Sequence, residues 1–509
     1  MSDSPLSRKL ANLSPVQLAK LRSRLKAKPS EIQPRSQVTD FPDDLKRSLN
    51  GFDAWKATPN QSLLWFLDQS LGSNAVYNVV RSVRLYGPLN IPAFQQALHT
   101  IVQRHEALRT NFQSIDRVPY QIIDNNSDRF KVPVVDLRSV DLAQKEYALQ
   151  KQFRELGQKP FNLAQDLLIR VTIIQLDNDR FGLSFSLHHI ICDGWSLGVL
   201  SKELSTLYQA YCNGQTSPLS LPKLQYADYG LWLQTGLKKE SQEQARRYWQ
   251  EKLAGELPIL ELPCDRPRKN EQTYSGRLTT FVFESALFNS LKQLANETGT
   301  SLFMVLLASL KVLLHCYTQQ TDIIIGSPIA NRSRPEIEGT IGFFVDYLPL
   351  RTDLSNNPSF IELLTRIRQT TLDAYTHAYP FAKVLRLLEV KHDRIRPPVF
   401  SVMMTMQNVP SPDLELDSVK LSGYRSTDKP PMSRTSIVGY EFRTDIEAAR
   451  FDWTILLKEN QGELSAVFEA NRDLFEPETI QRIIDYWQTI LAAIVANPDY
   501  AIAEFCSPS

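Results

Sequence analysis

Two adjacent histidines, His188 and His189, stand in the stretch SLHHIICDGWS, with Asp193 and Gly194 four and five positions after the second. These residue types suit chemistry near neutral pH. An imidazole titrates close to 7, a carboxylate can hold a ring or an arginine in place, and a glycine lets a substrate approach the backbone. The first N–H groups of a following helix, Gly194 foremost, have no intrahelical acceptors and suit a developing oxyanion. The stretch therefore fits acyl transfer. It fits equally well a satisfied buried polar cluster at a sheet edge, and alone it leaves both readings open.

Other catalytic designs find no support. The chain has no GxSxG elbow, no GxxxxGK[ST] phosphate loop and no HExxH helix.

Periodicity says what positions the histidines. Leu183, Phe185 and Leu187 share one side of a period-two pattern and Ser184, Ser186 and His188 the other, which predicts a strand ending where His189 arrives. Leu197, Leu200, Leu204, Leu207 and Tyr211 recur at helical spacing up to an Asn213-Gly214 stop, which predicts a helix over about 196–212 with Ser196 as its cap. The motif is thus a strand-to-helix loop. Trp195 reads first as a core residue.

Around it the chain alternates strand-like and helix-like segments over about 45–215, an α/β lobe. A polar, proline-containing connector covers about 216–275, and alternation resumes over 276–505 as a second lobe. The stretch 409–436 is loop-like and suited to cover or cross a cleft. Residues 1–40 stand apart. Ser14-Pro15 starts a helix whose Val16, Leu18, Leu21 and Leu25 form an apolar stripe, while Lys20, Arg22, Arg24, Lys26 and Lys28 make the other face basic. That arm suits docking to an acidic tail of an upstream protein, or equally a solvated helix packed on its own domain.

Composition bounds the rest. At 509 residues two lobes of ordinary size are expected. With 57 Lys+Arg against 56 Asp+Glu, no global field favours nucleic acid or membrane. The longest apolar run, SLFMVLLASLKVLL, is interrupted by Lys311 and too short to span a bilayer, so a cytoplasmic location is expected. Five scattered cysteines, with no CxxC pair, argue against a disulfide framework or a zinc site, and most read as small buried apolar residues.

HHIICDGWS resembles the HHxxxDG signature of the condensation domains of non-ribosomal peptide synthetases, in the chloramphenicol-acetyltransferase-like superfamily. Companion motifs follow in the family's order from about residue 57 to 500. TPNQSLLWFL (58–67) is similar to SxAQxRLWxL, and RHEALRTNF (104–112) matches RHExLRTxF. YADYGLW (226–232) resembles YxDYAVW, IGFFVDYLPLR (341–351) resembles IGxFVNTLxLR, HAYPFAKV (377–384) resembles HxxxPFxxxV, and HDRIRPPVF (392–400) faintly resembles RDxSRNPLF. Epimerisation domains typically read DGVSW after the histidines, and heterocyclisation domains carry DxxxxD instead. DGWSLGVL is most similar to domains joining an L-configured donor to an L-configured acceptor, with a fatty-acyl starter subtype also open.

The resemblance implies two acyltransferase-like lobes in a V-shaped pseudo-dimer, with an active-site tunnel admitting a phosphopantetheine arm from each side. It implies donor and acceptor carrier proteins as partners and no cofactor or metal held by the chain itself; in that setting the protein that the N-terminal arm could dock to is an upstream synthetase. The catalytic set carried over is His189, His188, Asp193 and Gly194. His189 positions, and in one version deprotonates, the acceptor amine as it attacks the donor thioester. A thioester is already activated, so orientation and oxyanion stabilisation can supply most of the rate. His188 has the other strand parity and reads as loop support, and Asp193 as the partner of a core arginine, with Arg277 the candidate. Arg104 and Glu106 read as a structural ion network. Trp195, Asp346 and Tyr347 are expected along the substrate tunnel.

Three departures from the family stand out. Leu63 and His392 stand where arginine is usual, and Asp346-Tyr347 replaces Asn-Thr on the expected tunnel floor, where it either alters substrate choice or is a compensated surface change. Without an adenylation core or a carrier serine motif, a free-standing enzyme or a piece of a larger synthetase is expected, acting on carriers in trans. Two alternatives remain: a free soluble amine or alcohol acceptor, and a non-catalytic module that recruits carriers.

Overall fold

The computed structural model describes residues 32–37, 45–49, 52–72, 74–389, 395–407, 420–423, 448–460 and 462–506. Most of the basic arm, most of the 409–436 stretch and His392 lie outside these residues.

The alternating segments form three sheets. A five-stranded sheet runs Lys420–Gly423, Asn78–Tyr86, Arg180–His188, Ile169–Gln175, Val134–Asp136. Arg180–His188 is its centre, antiparallel to both neighbours. A six-stranded sheet runs Asp346–Asp353, Asp322–Ile329, Val402–Met406, Trp453–Asn460, Glu463–Asn471, Gly276–Val282. A four-stranded sheet runs Lys46–Leu49, Phe52–Lys56, Val118–Ile123, Thr110–Ile115.

Each large sheet has its own core. Leu183, Phe185 and Leu187 bury against helices Ile91–Arg104 and Gly194–Cys212 through Leu98, Ile101, Leu200 and Leu204. On the strand's other face a Cβ at Gly182 would stand 2.5 Å from Leu149 of helix Leu142–Gln158, so a side chain there would have to displace Leu149 and press on Phe153. The strand is therefore covered on both faces. The second core gathers around helices Leu302–Thr318 and Pro477–Ala496. There Lys311, inside the apolar run, is fully buried and its Nζ donates to the carbonyls of Ile323 (2.7 Å) and Leu350 (2.6 Å). Burial holds its pKa well below the usual lysine range.

Three segments cross between the lobes. Ile341, Phe343 and Phe344, from the second lobe's chain, belong to the first lobe's core. Leu63, in helix Pro59–Leu71 of the first lobe, packs on the second lobe's core, so an apolar contact stands where the resemblance implied an arginine. Residues 420–423, within a stretch read as loop, form an edge strand against Asn78–Tyr86.

Other expectations change. The 216–275 stretch holds two helices, Tyr226–Thr235 and Lys239–Lys252, anchored by buried Tyr226 and Tyr229 in one core and by Trp249 in the other. Cys316 and Cys506 form a disulfide, a pairing that their separation of 190 residues hides. Of the three free cysteines only Cys192 is buried, and Cys212 is exposed. Among the described residues no single helix is long and apolar enough to cross a membrane, and Leu302–Thr318 is a core helix.

Candidate active site

His189 follows the last residue of the Arg180–His188 strand and opens a short 3-10 turn, His189–Ile191, ahead of helix Gly194–Cys212. Its backbone N–H donates to the Tyr77 carbonyl at 2.8 Å, seating the turn on the neighbouring strand. Nδ1 lies 2.8 Å from the Cys192 carbonyl oxygen. A carbonyl only accepts, so in the neutral ring Nδ1 carries the proton and Nε2 the lone pair. The ring meets Phe343, which reaches in from the other lobe's chain, at 5.0 Å between centroids. Cys192 thus serves through its backbone. Its thiol is buried, and burial raises its pKa well above the ordinary value, which makes it an inert apolar filler.

His188 has different surroundings. It is buried, its Nδ1 accepts from the Ile190 N–H at 3.2 Å, and its Nε2 lies 3.6 Å from Asp68 Oδ1. Tyr77 and Phe161 flank the ring, each at 6.2 Å. Burial lowers its pKa, opposed in part by Asp68.

Asp193 is the N-cap of the helix. Its Oδ1 accepts from the Ser196 N–H at 2.8 Å, so the helix begins at Gly194 rather than near 196, and Ser196, expected as the cap, occupies the third turn position. The arginine that Asp193 meets is Arg332, with Nη2 at 3.1 and 3.3 Å from the two carboxylate oxygens. Arg277 is not that partner. It lies on the edge strand Gly276–Val282, opposite Ala470. Arg332 also donates to the carbonyls of Ile337 (2.8 Å) and Thr340 (2.7 Å) and stacks 3.9 Å over the Phe344 ring. Asp193 Oδ2 accepts from the Phe344 N–H at 3.1 Å, and Ser196 Oγ accepts from the Gly342 N–H at 3.1 Å. With side chains 1% and 4% exposed, Arg332 and Asp193 are a buried, multiply bonded joint between the helix start and the 341–344 segment. Gly342 permits it, since a Cβ there would fall 2.0 Å from the Tyr226 ring.

Gly194 is the first helical residue, and a Cβ placed on it meets nothing within 4 Å, so open space lies beside its backbone. Trp195 is half-buried, and its Nε1 donates to the Glu338 carbonyl at 2.8 Å, bracing the same junction.

Asp346 is buried at the start of strand Asp346–Asp353, which excludes the reading of a surface change. Its Oδ1 accepts from the backbone N–H groups of Tyr347 (2.9 Å) and Phe381 (3.0 Å), and the Asn60 and Asn331 side chains also favour its charged form. Burial outweighs these bonds and raises its pKa to about 6. Tyr347 is half-buried among Phe381, Phe400 and Phe451, with centroids 6.0 to 6.4 Å away.

Arg104 and Glu106 lie apart from the histidines and do not pair with each other. Arg104 forms a two-pronged pair with Glu203 at 3.0 Å, joined by His105 Nε2 at 3.0 Å, while Glu106 pairs with Arg35. Sequence reasoning missed Asp68, Tyr77, Arg332 and Arg450, the last lying 5.0 Å over the Tyr77 ring. Arg332 carried a usable signal, for it closely follows the end of strand Asp322–Ile329 much as His189 follows its own.

Residues 53–509 match the Condensation domain family. A linear gramicidin synthase polypeptide of Brevibacillus parabrevis is 39% identical over 443 residues, covering 87% of this chain and 6% of the relative. Bacitracin synthase 3 of Bacillus licheniformis is 32% identical over 87% of this chain and 6% of its own length. The chain thus spans a small fraction of these relatives. Among solved structures, the X-domain from teicoplanin biosynthesis superposes with a TM-score of 0.78 at 24% identity, covering 92% of this chain and 99% of that one. The starter condensation domain of rhizomide synthetase does so with a TM-score of 0.70 at 18% identity, over 88% and 96%. These likenesses carry the fold, two chloramphenicol-acetyltransferase-like lobes.

Proposed function

The chain belongs to the condensation-domain family, and from that premise we propose that it forms an amide bond between a carrier-bound acyl or aminoacyl donor and an acceptor amine. The observation that carries this reading is the fixed His189 ring, held on the Cys192 carbonyl and against Phe343 of the facing lobe. Nε2 supplies the basic nitrogen that orients the acceptor amine and takes its proton as the amine nitrogen attacks the thioester carbonyl. The thiolate of the donor arm leaves as the tetrahedral centre collapses. The helix start at Gly194, with open space beside it, supplies N–H groups toward the oxyanion. Asp193, through Arg332, and His188, through Asp68, hold the turn rather than touch substrate. Trp195 supports the tunnel wall from the same junction, and Asp346 and Tyr347 shape its floor. Arg104 supports the first lobe.

The substrates bring phosphopantetheine arms on donor and acceptor carrier proteins, and the basic N-terminal arm is the segment proposed to meet an upstream synthetase. An L-configured donor and acceptor fit the DGWSLGVL sequence. The proposed setting is cytoplasmic, where the Cys316–Cys506 disulfide would be open to reduction.

The test mixes the protein with two loaded carriers and reads the products by mass spectrometry. Product with the native chain and far slower formation with His189→Ala is expected; unchanged turnover by the variant sinks the assignment. Supplying free amines or alcohols in place of the second carrier tests the soluble-acceptor alternative. The second reading is a non-catalytic module that recruits carriers; the X-domain neighbour, solved in a complex with OxyB, shares the fold with this chain at 23% identity. That reading predicts carrier binding without product.

A further inference from the structure

Arg450 is a cation beside the site that the proposed chemistry does not use. It lies just ahead of strand Trp453–Asn460, with its guanidinium carbon 5.0 Å over the Tyr77 ring, and the Tyr77 carbonyl receives the His189 N–H. It is close enough to bear electrostatically on Tyr77, His188 and Cys192. Among the described residues no carboxylate pairs with it, and its Nε is buried without an acceptor. Asp68, the carboxylate that also bears on Tyr77, faces His188 Nε2 instead.

The segment that presents Arg450 is fixed in place. Ala448 bridges to Ser275, and the Ala449 N–H donates to the Tyr274 carbonyl at 2.8 Å. A Cβ on Gly276 would stand 2.9 Å from the backbone of Ala448 and Ala449, so glycine there permits the approach. Asp452 pairs with Arg268, and its N–H donates to the Ser401 carbonyl at 2.9 Å. A preorganised guanidinium with an unmatched buried donor suits a negatively charged, planar acceptor.

We infer that Arg450, stacked on Tyr77, forms an anion-recognising corner beside His189 that selects a substrate carrying a side-chain carboxylate. This rests on the condensation reading. In both substrates the α-carboxyl is tied up as a thioester, so a carboxylate at this corner belongs to a side chain or to the far end of a dicarboxylic acyl group.

The full chain is offered carrier-bound donors paired as glutamate against glutamine and aspartate against asparagine, with a glycine acceptor. The same four then serve as acceptors with a fixed neutral donor. In one of the two arms kcat/KM is expected to favour the acid over its amide by about 10- to 100-fold, the range for a hydrogen bond to a charged group. Arg450→Gln collapses that ratio to near one, and Arg450→Glu turns the preference toward lysine. Equal rates for acid and amide in both arms of the native chain overturn the inference without recourse to any variant. An equal fall for acid and amide in Arg450→Gln also overturns it, because the guanidinium then serves the reacting carbonyl. Absence of product from every pair instead overturns the condensation reading, so the two failures are read apart.

Discussion

Each lobe carries a buried strand out to the junction, and the two strands deliver opposite things. Arg180–His188 ends at His189, a half-buried ring steered through Nδ1 by the Cys192 carbonyl. Asp322–Ile329 runs on through Asn331, at a φ of 51°, to Arg332, a buried cation bonded to Asp193, Ser196, Ile337 and Thr340. A group that must exchange a proton has to keep one nitrogen as an acceptor. A guanidinium never gives up its proton in a protein, so it can be enclosed and used as a pin. Similar strand ends therefore split the work into chemistry on one lobe and alignment on the other.

The sharpest way to break this division is to remove each group and read activity and stability separately. His189→Ala is expected to lower the rate of product formation by about 10²- to 10⁴-fold, the range for general acid–base catalysis. Its thermal midpoint stays within a few degrees, since a half-buried ring is lost. A small rate loss with a flat pH–rate profile would show that His189 only orients the amine.

Arg332→Ala should show the opposite balance. It strands Asp193 as a buried charge, and breaking such a pair typically destabilises by about 3–5 kcal/mol. Urea unfolding measures this. A loss below about 1 kcal/mol would mean that the joint does not align the lobes. Activity falls as well, because the Phe343 wall against His189 belongs to the segment that Arg332 holds.

The same contrast explains what was legible in the sequence. The strand end at His189 follows from local period-two alternation, and the helix behind it from leucines at helical spacing up to Asn213-Gly214. The partner of Asp193 lies 139 residues away. No local period reports such a contact, and Arg277 was no worse a candidate on sequence grounds. Asp68 and Tyr77 share this difficulty, since their importance comes from strand and helix neighbours rather than spacing. The four-residue strand 420–423 exists only because Asn78–Tyr86 offers it an edge. The helices of the 216–275 stretch were masked by flanking prolines, although Tyr226, Tyr229 and Trp249 are the residues that anchor them.

A finer test sets the two buried carboxylates of the junction against each other. Asp193 has a guanidinium, whereas Asp346 has backbone N–H groups and amide side chains, and burial raises its pKa from 3.8 to about 6. The folded state therefore binds this proton more tightly than the unfolded chain does. The stability it contributes is complete below about pH 4 and is lost as the pH rises through 6, by at most about 3 kcal/mol. Asp346→Asn keeps a carbonyl oxygen for the Tyr347 and Phe381 N–H groups and removes the ionisation. The variant should be more stable than the native chain by about 1–3 kcal/mol at pH 7.5, with the difference vanishing near pH 4. Urea midpoints across that range measure it. A variant less stable at pH 7.5 would show that the ionised Asp346 is stabilised by its partners, and the contrast with the guanidinium-paired Asp193 would fail.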